Sequence, residues 1–469
     1  MKGSKDLAAD PASPPPLALE AVPEPRSLSL NSVARSLSDG AGFVFGLLAG
    51  VVTARWLGPA GKGLFSSLTF VAGLVMQACS VGLGDAAAVM VGQRRATVQR
   101  ALSSTFAAGI AAAAVGVFLL WGFAAVAFQD DWAEARTAVL LACLGLPISL
   151  SGYLLTFVLT AQERIVASSA AMATTSGVTT LALLVFTAVL ELSVTGAVLS
   201  TVVGAASGLA FAALALRRSG LSLRPQWNWE YLRSALPFGL SVEASYLVTV
   251  MFLRVDLLLV YSLAGQAPAG QYSVALTVGG LVALVPIAIS SASFPRLARL
   301  DDTEANELTA QVFRFGMAAA IVGAAGLAVA TPIVVPLLFG SEFTPAVVPS
   351  LILAGGGLLW SGEWLLCRAW AARGRPGLLV WSFGLTLVTM CGVDYLLIPS
   401  FGIAGAALGS VIAPVVGLVV CLATYVRSPR WPLPLRRFVP GPSDFRGLVD
   451  RFGALLRIAR KRRAGSTVA

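Results

Sequence analysis

The stretch "SVEASYLVTVMFLRVDLLLVYSL", Ser241–Leu263, is apolar enough to cross a bilayer yet contains Glu243, Arg254 and Asp256. An apolar helix of about 20 residues spans the hydrocarbon core. Each charged side chain at that depth costs roughly 2.5 to 3.5 kcal/mol on insertion scales. A membrane helix that keeps three such groups is therefore predicted to direct them toward another helix, water or a ligand.

The whole chain has the composition of an integral membrane protein. It contains 469 residues, of which 57% are hydrophobic and 12% are charged, whereas a soluble domain has about 25% charged residues. It has no histidine, which excludes histidine-based triads, HExxH zinc sites and imidazole proton relays. Its five cysteines have neither zinc-ligand nor C-x-x-C spacing. We expect a protein that is not an enzyme and has no catalytic residue, metal site or cofactor.

Apolar stretches long enough to cross a membrane recur along the chain, since about 20 residues suffice for one crossing. Twelve qualify, at residues 37–56, 64–91, 102–128, 135–160, 165–190, 194–216, 236–263, 272–294, 312–339, 346–371, 377–398 and 403–426. The sequence therefore predicts an all-α polytopic membrane protein with twelve transmembrane helices.

The positions of lysine and arginine predict its orientation, because cytoplasmic loops accumulate these residues. With the N-terminus inside, 29 of the 33 lie in inner tails, inner loops and nearby helix ends, while Arg55, Lys62 and Arg136 lie in outer loops. Both termini are therefore predicted to be cytoplasmic, in the plasma membrane. Since these residues lie in short loops and not in one patch, the net charge of +10 does not indicate a nucleic-acid partner.

Two pairs of similar segments are separated by 209 residues. "PAG" at Pro59–Gly61 recurs at Pro268–Gly270, and "GAVLSTV" from Gly196 recurs as "GAALGSV" from Gly405. One offset in corresponding loops and helices indicates two lobes of six helices each. An even number of helices per lobe makes the repeats parallel, related by an axis along the membrane normal.

These patterns divide the chain into five parts. They are a disordered proline-rich tail (1–34), a first lobe (35–216), a cytoplasmic linker (217–234), a second lobe (235–426) and a basic cytoplasmic tail (427–469). In the last part, Ser443 can cap a helix in which Phe445, Leu448, Phe452 and Leu455 recur at helical spacing beside many arginines. This predicts an amphipathic helix on anionic lipid of the inner leaflet. The alternative is a partly helical solvated tail whose charges only fix topology.

The ends of the first and seventh spans carry a family resemblance. "ARWLGPAGKGLFS" from Ala54 and "RVDLLLVYSLAGQAPAGQYSVALTV" from Arg254 resemble polysaccharide flippases of the multidrug/oligosaccharidyl-lipid/polysaccharide exporter superfamily. The matching positions are Arg55, Leu57, Gly58, Gly63, Asp256, Gly270, Tyr272 and Ala275. With the twelve spans in two lobes, the likeness extends over residues 36–426.

The resemblance implies a translocase that works by alternating access between two helical bundles. Its substrate would be a polyprenyl-diphosphate-linked oligosaccharide, moved from the inner to the outer leaflet. Polysaccharide assembly proteins are implied as partners.

The charged residues inside the spans are the candidate site residues. Glu243 and Arg254 are 11 residues apart, so at 100° per residue their directions differ by about 20°. They are expected to share a stripe with Tyr246, whereas Asp256 is turned about 200° from Arg254. An arginine offers a planar donor fork to a lipid diphosphate.

The candidates form two groups. Residues expected to line a substrate cavity are Arg254, Glu243, Arg368, Arg55, Tyr246, Trp360 and Trp364. Residues expected to couple transport to protons or cations are Asp39, Asp85, Glu363, Asp256 and Asp394. The competing interpretation of the charges is interhelical ion pairing, and that of the tryptophans is packing.

Two other functions fit a protein of this kind. A cation-coupled multidrug exporter of the MATE type needs a mostly apolar cavity with a lone carboxylate, so Arg254 and Arg368 favour the flippase. A membrane glycosyltransferase or polymerase acting on the same lipid typically needs a large extramembrane loop, and the longest outer connections here have about six to ten residues. That function is less favoured.

Overall fold

The computed structural model describes residues 25–375, 377–428 and 433–447. All long secondary-structure elements in these residues are helices. The helices are α1 (Pro25–Ser80), α2 (Leu83–Gly92), α3 (Val98–Ala127), α4 (Trp132–Ala161), α5 (Ile165–Leu183), α6 (Ser193–Arg217), α7 (Trp229–Ala264), α8 (Gln266–Gly279), α9 (Leu284–Leu297), α10 (Asp302–Phe339), α11 (Val347–Ala372), α12 (Gly377–Phe401) and α13 (Ile403–Arg427). A π-helical turn (Leu184–Val189) extends α5, and 3-10 turns (Gly280–Ala283 and Ser341–Ala346) precede α9 and α11.

Several helices begin at side chains that accept a backbone N–H. Thr97, Asn228 and Asp301 cap α3, α7 and α10 in this way, with an Asn228 Oδ1 to Tyr231 N distance of 2.9 Å. Such caps satisfy donors that the first helical turn leaves free. Because α6 ends at Arg217 and α7 begins at Trp229, the connection between them is shorter than the predicted linker 217–234.

Eleven helical segments of the described chain are long and apolar enough to cross a membrane, so the prediction of an all-helical, multi-pass membrane protein is confirmed. The first segment, Gly40–Gly92, has 53 residues and would be roughly 80 Å long as one straight helix. A hydrocarbon core is about 30 Å thick. Helix α1 is interrupted at Gly58, where φ is 65° and ψ is −177°.

The break at Gly58 corrects one expectation from the sequence. Arg55 and Lys62 were expected in an outer loop, but both lie within the helical element α1, one on each side of Gly58. A positive φ is readily adopted by glycine because it has no Cβ. The chain can therefore change direction there without a polar loop.

Turns recur in the two halves of the chain. Gly58 and Gly265, whose numbers differ by 207, both have positive φ and ψ near 180°. Ser193 and Gly402, whose numbers differ by 209, both have positive φ at the start of α6 and α13. The corresponding turns thus lie close to the offset that separates the repeated sequence segments.

The two halves meet where the arm of α1 beyond Gly58 crosses α8. A Cβ on Gly63 would overlap the carbonyl oxygen of Gln266, and a Cβ on Gly270 would overlap that of Pro59. Only glycine permits such a close backbone approach. The largest group of buried apolar side chains spans this crossing and includes residues of both halves.

The chain ends differ from the predicted tails. Helix α1 begins at Pro25, so residues 25–34 of the expected disordered tail are helical. Beyond α13, Phe438 is buried against Phe313, with ring centroids 5.2 Å apart, and Arg314 lies 3.4 Å from Asp444. A short helical turn covers 442–447, and the rest of the predicted amphipathic helix lies outside the described residues, as do residues 1–24.

Candidate functional site

A cavity of about 370 Å³, the central cavity, lies between elements of both halves of the chain. Its lining residues are Gly46, Ala49, Gly50, Thr53, Lys62, Phe65, Ser66, Thr69, Phe70, Arg254, Leu257, Ser273 and Thr277. Two are cations, five carry hydroxyl groups and, among the described residues, none is a carboxylate. Cations and hydroxyls donate hydrogen bonds, so the cavity favours an anionic ligand.

Lys62 belongs to the wall of the central cavity and was not identified from the sequence. It lies on the arm of α1 beyond Gly58 and extends back to the preceding arm. Its Nζ donates to the Gly50 carbonyl at 3.0 Å and to Thr53 Oγ1 at 2.9 Å. Its residue surface is only 4% exposed. A lysine ammonium has three donors, and these contacts use two of them.

Arg254 is exposed and lines the central cavity from α7. It also lines a second cavity of about 260 Å³ formed within the second half of the chain by α7, α8, α9, α11, α12 and α13. The second cavity contains Asp256, Trp360 and Ser410 in its wall. Arg254 is therefore shared by the two cavities.

Asp256, which is turned about 200° from Arg254 on α7, contacts helices of its own half of the chain. It is buried and lines the second cavity. Its carboxylate accepts from Tyr272 Oη at 2.7 Å, from Ser410 Oγ at 3.2 Å and from the Leu257 N–H at 2.8 Å. Three donors hold this carboxylate in a fixed position.

Asp394 on α12 is fully buried beside Gly409 of α13. Among the described residues neither of its carboxylate oxygens has a hydrogen-bond partner. It lies close enough to Asp256 for the two carboxylates to interact electrostatically. The described residues contain no group of three acidic, histidine or cysteine side chains that could hold a metal ion.

Glu243 does not share an exposed stripe with Arg254, because it is only 3% exposed. Its carboxylate accepts hydrogen bonds from donors in the first half of the chain. It accepts from Gln77 Nε2 at 2.9 Å, from Ser80 Oγ at 2.5 Å and from the Gly82 N–H at 2.7 Å. We call these four residues the Glu243 clamp. It joins α7 to the break between α1 and α2, where a Cβ on Gly82 would overlap the Gly239 carbonyl.

Arg55 also joins the two halves and is not among the residues that line the central cavity. Its guanidinium donates to the Leu338 carbonyl at 2.7 Å and to the Leu337 carbonyl. Both carbonyls are at the end of α10, where the last turn of a helix leaves its acceptors free. Arg55 therefore caps α10.

Trp360, Trp364 and Arg368 lie along one face of α11. The Arg368 guanidinium is 4.4 Å from the Phe294 ring centroid and 5.7 Å from that of Trp364. The Trp360 and Trp364 rings are 5.6 Å apart. Tyr246 of α7, 44% exposed, is near enough to Arg368 to interact with it electrostatically.

The remaining coupling candidates are separate from these residues. Glu363 on α11 is fully buried, and its Oε1 accepts from Ser382 Oγ at 2.5 Å and Thr386 Oγ1 at 3.0 Å. Asp85 is half-buried in the first turn of α2, near Glu243. The side chain of Asp39 lies outside the described residues.

Solved structures of known proteins share this fold. The lipid II flippase MurJ in an inward closed conformation is 12% identical, with a TM-score of 0.71 over 87% of this chain and 89% of that chain. A MATE family transporter in an inward-facing conformation is 15% identical, with a TM-score of 0.61 over 81% and 93%. The MATE transporter VcmN of Vibrio cholerae is 14% identical, with a TM-score of 0.59 over 87% and 98%. At these identities the likeness establishes the fold.

Two comparisons of sequence bear on the family, and the second identifies it. A curated relative, the probable low-salt glycan biosynthesis flippase Agl15 of Haloferax volcanii, is 28% identical over 159 residues. The match covers 33% of this chain and 34% of that relative, so the chain spans about a third of the relative's length. The model of a family described as polysaccharide biosynthesis protein matches residues 52–348. The resemblance to polysaccharide flippases is confirmed, and the chain belongs to this polysaccharide biosynthesis protein family.

Proposed function

We propose that this protein moves a polyprenyl-diphosphate-linked oligosaccharide from the inner to the outer leaflet of the plasma membrane. The observation that carries the proposal is the central cavity, where Lys62 and Arg254 meet from opposite halves of the chain with five hydroxyl residues and, among the described residues, no carboxylate. A diphosphate is a dense anion that such donors bind. The flippase name of the Haloferax volcanii relative agrees with this proposal.

We further propose the topology that this function requires. Dividing the 53-residue segment at Gly58 gives twelve crossings, in two lobes of six at 35–216 and 235–426. The recurrence of positive-φ turns in both halves supports this division. The excess of basic residues in the inner loops and tails supports cytoplasmic termini. The basic tail from residue 427 would then lie beside anionic inner-leaflet lipid.

Contacts between the two halves of the chain at two separate levels fit alternating access. The Gly63 and Gly270 crossing and the Arg55 cap join the halves near the break of α1 at Gly58, the start of α8 and the end of α10, which we assign to the outer side. The Glu243 clamp joins them on the inner side. Transport would require these contacts to break in turn while the substrate moves without chemical conversion.

The alternative function is drug export coupled to a cation, which the MATE structural neighbours favour at the level of fold. A cationic drug would meet Lys62 and Arg254 in the central cavity. Like charges in a desolvated site repel. The composition of the cavity therefore favours the anionic glycolipid.

The proposed function can be tested with purified protein in proteoliposomes. Labelled undecaprenyl-diphosphate oligosaccharide is placed in the membrane, and its appearance in the opposite leaflet is measured by accessibility to a sugar-modifying enzyme. We expect transfer well above that of protein-free liposomes. A fluorescent cationic drug is tested in parallel; export of the drug without movement of the glycolipid would overturn the proposal.

We also propose that Asp256 and Asp394 couple transport to a proton or monovalent cation. Asp394 is fully buried and has no hydrogen-bond partner among the described residues, and an unpaired buried carboxylate is costly. Taking up a proton or a cation would remove that cost. The nearby Asp256 lines a cavity through which either ion could enter.

For this coupling, Asp394→Asn is expected to lower gradient-driven transfer about tenfold, which lies within the roughly 5- to 150-fold range for coupling between two sites. The asparagine amide keeps the shape of the aspartate side chain but can neither take up a proton nor carry the negative charge that attracts a cation. Initial transfer rates are measured with and without an imposed proton or sodium gradient. Glu191→Gln, at an exposed position, is the control. An unchanged response of Asp394→Asn to both gradients would remove the coupling role.

A further inference from the structure

Trp360, Trp364 and Arg368 form a continuous strip on α11, here named the aromatic strip. Their four-residue spacing places them one above another on a single helix face. From Trp360 to Arg368 the strip extends about 12 Å along the helix axis. Its Trp360 end lines the second cavity together with Arg254. The strip therefore begins beside one of the two proposed phosphate-binding cations and leads away from it.

The indole rings of the strip are held in place by other aromatic rings behind them. Trp364 stacks on Phe383, with centroids 5.9 Å apart and planes inclined by 13°. Trp360 packs on Phe252 at 6.1 Å, and Phe252 stacks on Phe383 at 5.9 Å. Rings supported in this way need little reordering when a ligand packs against them, and little reordering lowers the cost of binding.

The polar atoms of the strip are incompletely used. Trp360 Nε1, Trp364 Nε1 and Arg368 Nε have no hydrogen-bond partner among the described residues. Buried donors without partners cost roughly 1 to 3 kcal/mol each. A packing role explains the ring contacts but leaves these three donors unsatisfied, whereas a polyhydroxylated ligand would provide acceptors.

The strip lies beside neighbouring helices, and its Trp360 end borders the second cavity. Among the described residues α7 packs against α8 and α12, and α9 packs mainly against α10 and α11. At the far end of the strip, the Arg368 guanidinium contacts Phe294 of α9 on one side and lies near Tyr246 of α7 on the other. Tyr246 is itself 44% exposed.

We propose that the aromatic strip binds the sugar rings of the lipid-linked oligosaccharide. The flat indole faces would pack against the apolar faces of the sugar rings, and Arg368 would donate to hydroxyl or carboxylate oxygens at the far end. This inference rests on the proposed function, since the diphosphate bound near Arg254 would place the glycan at the Trp360 end. The strip is long enough to contact more than one sugar ring, so it gives preference for long head groups.

The test compares two substrates in proteoliposomes, undecaprenyl diphosphate carrying one sugar and the same lipid carrying a longer oligosaccharide. Trp364→Ala and Arg368→Gln are expected to lower transfer of the long head group about tenfold and to change transfer of the single-sugar lipid less than about twofold. Trp381→Ala is the matched control, because Trp381 lies on α12 and is 80% exposed. It should affect neither substrate.

Each other outcome has a definite meaning. Equal losses for both substrates would show that the strip only supports the fold, and unchanged transfer of both would show that it does not contact the glycan; either result overturns the inference. If Trp364→Ala does not yield a monodisperse protein, Arg368→Gln and Trp364→Phe decide, the latter being expected to retain most of the transfer. Failure of the wild-type protein to move either lipid would refute the proposed function instead.

Discussion

Lys62→Met is expected to lower transfer of the lipid-linked oligosaccharide by about 10- to 100-fold, and Arg254→Gln by a similar factor. Both cations line the central cavity, and a hydrogen bond to a charged group contributes about 1.5 to 3 kcal/mol, which corresponds to this range. Initial rates of transfer are measured at matched amounts of reconstituted protein. Lys62→Arg should retain more transfer than Lys62→Met because it keeps the charge.

The control must separate substrate binding by Lys62 from its contacts within α1. Thr53→Val removes the hydroxyl that Lys62 contacts at 2.9 Å but leaves the ammonium in the cavity. It should cost about 1 kcal/mol of stability and, because Thr53 itself lines the central cavity, lower transfer clearly less than Lys62→Met does. Arg136→Gln, at an exposed position, controls for loss of any positive charge. Normal transfer by Lys62→Met, or an equal loss in Thr53→Val, would contradict a substrate-binding role.

Much of the fold follows from the apolar pattern, and the family follows from short motifs. The long apolar runs predict the membrane helices because a chain in lipid must satisfy its backbone groups internally. Arg254 was also a candidate from its position in such a run, and it does line a cavity. The pattern gives the length and order of the helices, which depend on neighbouring residues in sequence.

The position of Lys62 could not be derived in the same way. The sequence around it, "GPAGKG", has the glycine and proline content of a loop. The structure instead changes direction at Gly58 alone and resumes a helix, which carries Lys62 back toward Gly50. A helix broken at a single glycine of positive φ is the alternative to a loop for this glycine-rich stretch. The glycine at position 58 was therefore the available signal.

The partners of the buried carboxylates were beyond sequence reasoning for another reason. Ser410 and Asp256 are 154 positions apart, and Gln77 and Glu243 are 166 apart. Helical geometry orients a residue on its own helix but does not tell which distant helix will face it. The direction of Asp256 relative to Arg254 could be calculated, yet the second cavity that it lines depends on how six helices pack.

Glu243→Ala is expected to destabilise the protein and to loosen the contact between the halves at the Glu243 clamp. The substitution leaves the Gly82 N–H, the Ser80 hydroxyl and the Gln77 amide without their acceptor. Unsatisfied buried donors cost roughly 1 to 3 kcal/mol each, so a loss of at least about 3 kcal/mol is expected if water does not replace the carboxylate. Thermal unfolding in detergent measures the loss.

The local effect can be distinguished from general destabilisation by hydrogen–deuterium exchange. Glu243 accepts from the Gly82 N–H at the start of α2, so it acts as a cap supplied by another helix. Exchange should accelerate at residues 82–86 and around Gly239 on α7, the two sides of this contact, and change little in α13. Exchange in Glu243→Gln, which keeps an acceptor oxygen, should fall between that of the wild type and that of Glu243→Ala.

Uniform acceleration of exchange along the chain, or none at residues 82–86, would show that the clamp does not hold the halves together. The clamp lies roughly 16 Å along α7 from Arg254, so exchange at the two places can be distinguished. Faster exchange at the clamp, with exchange around Arg254 still slow, would identify the clamp as the contact that opens the inner end of the central cavity.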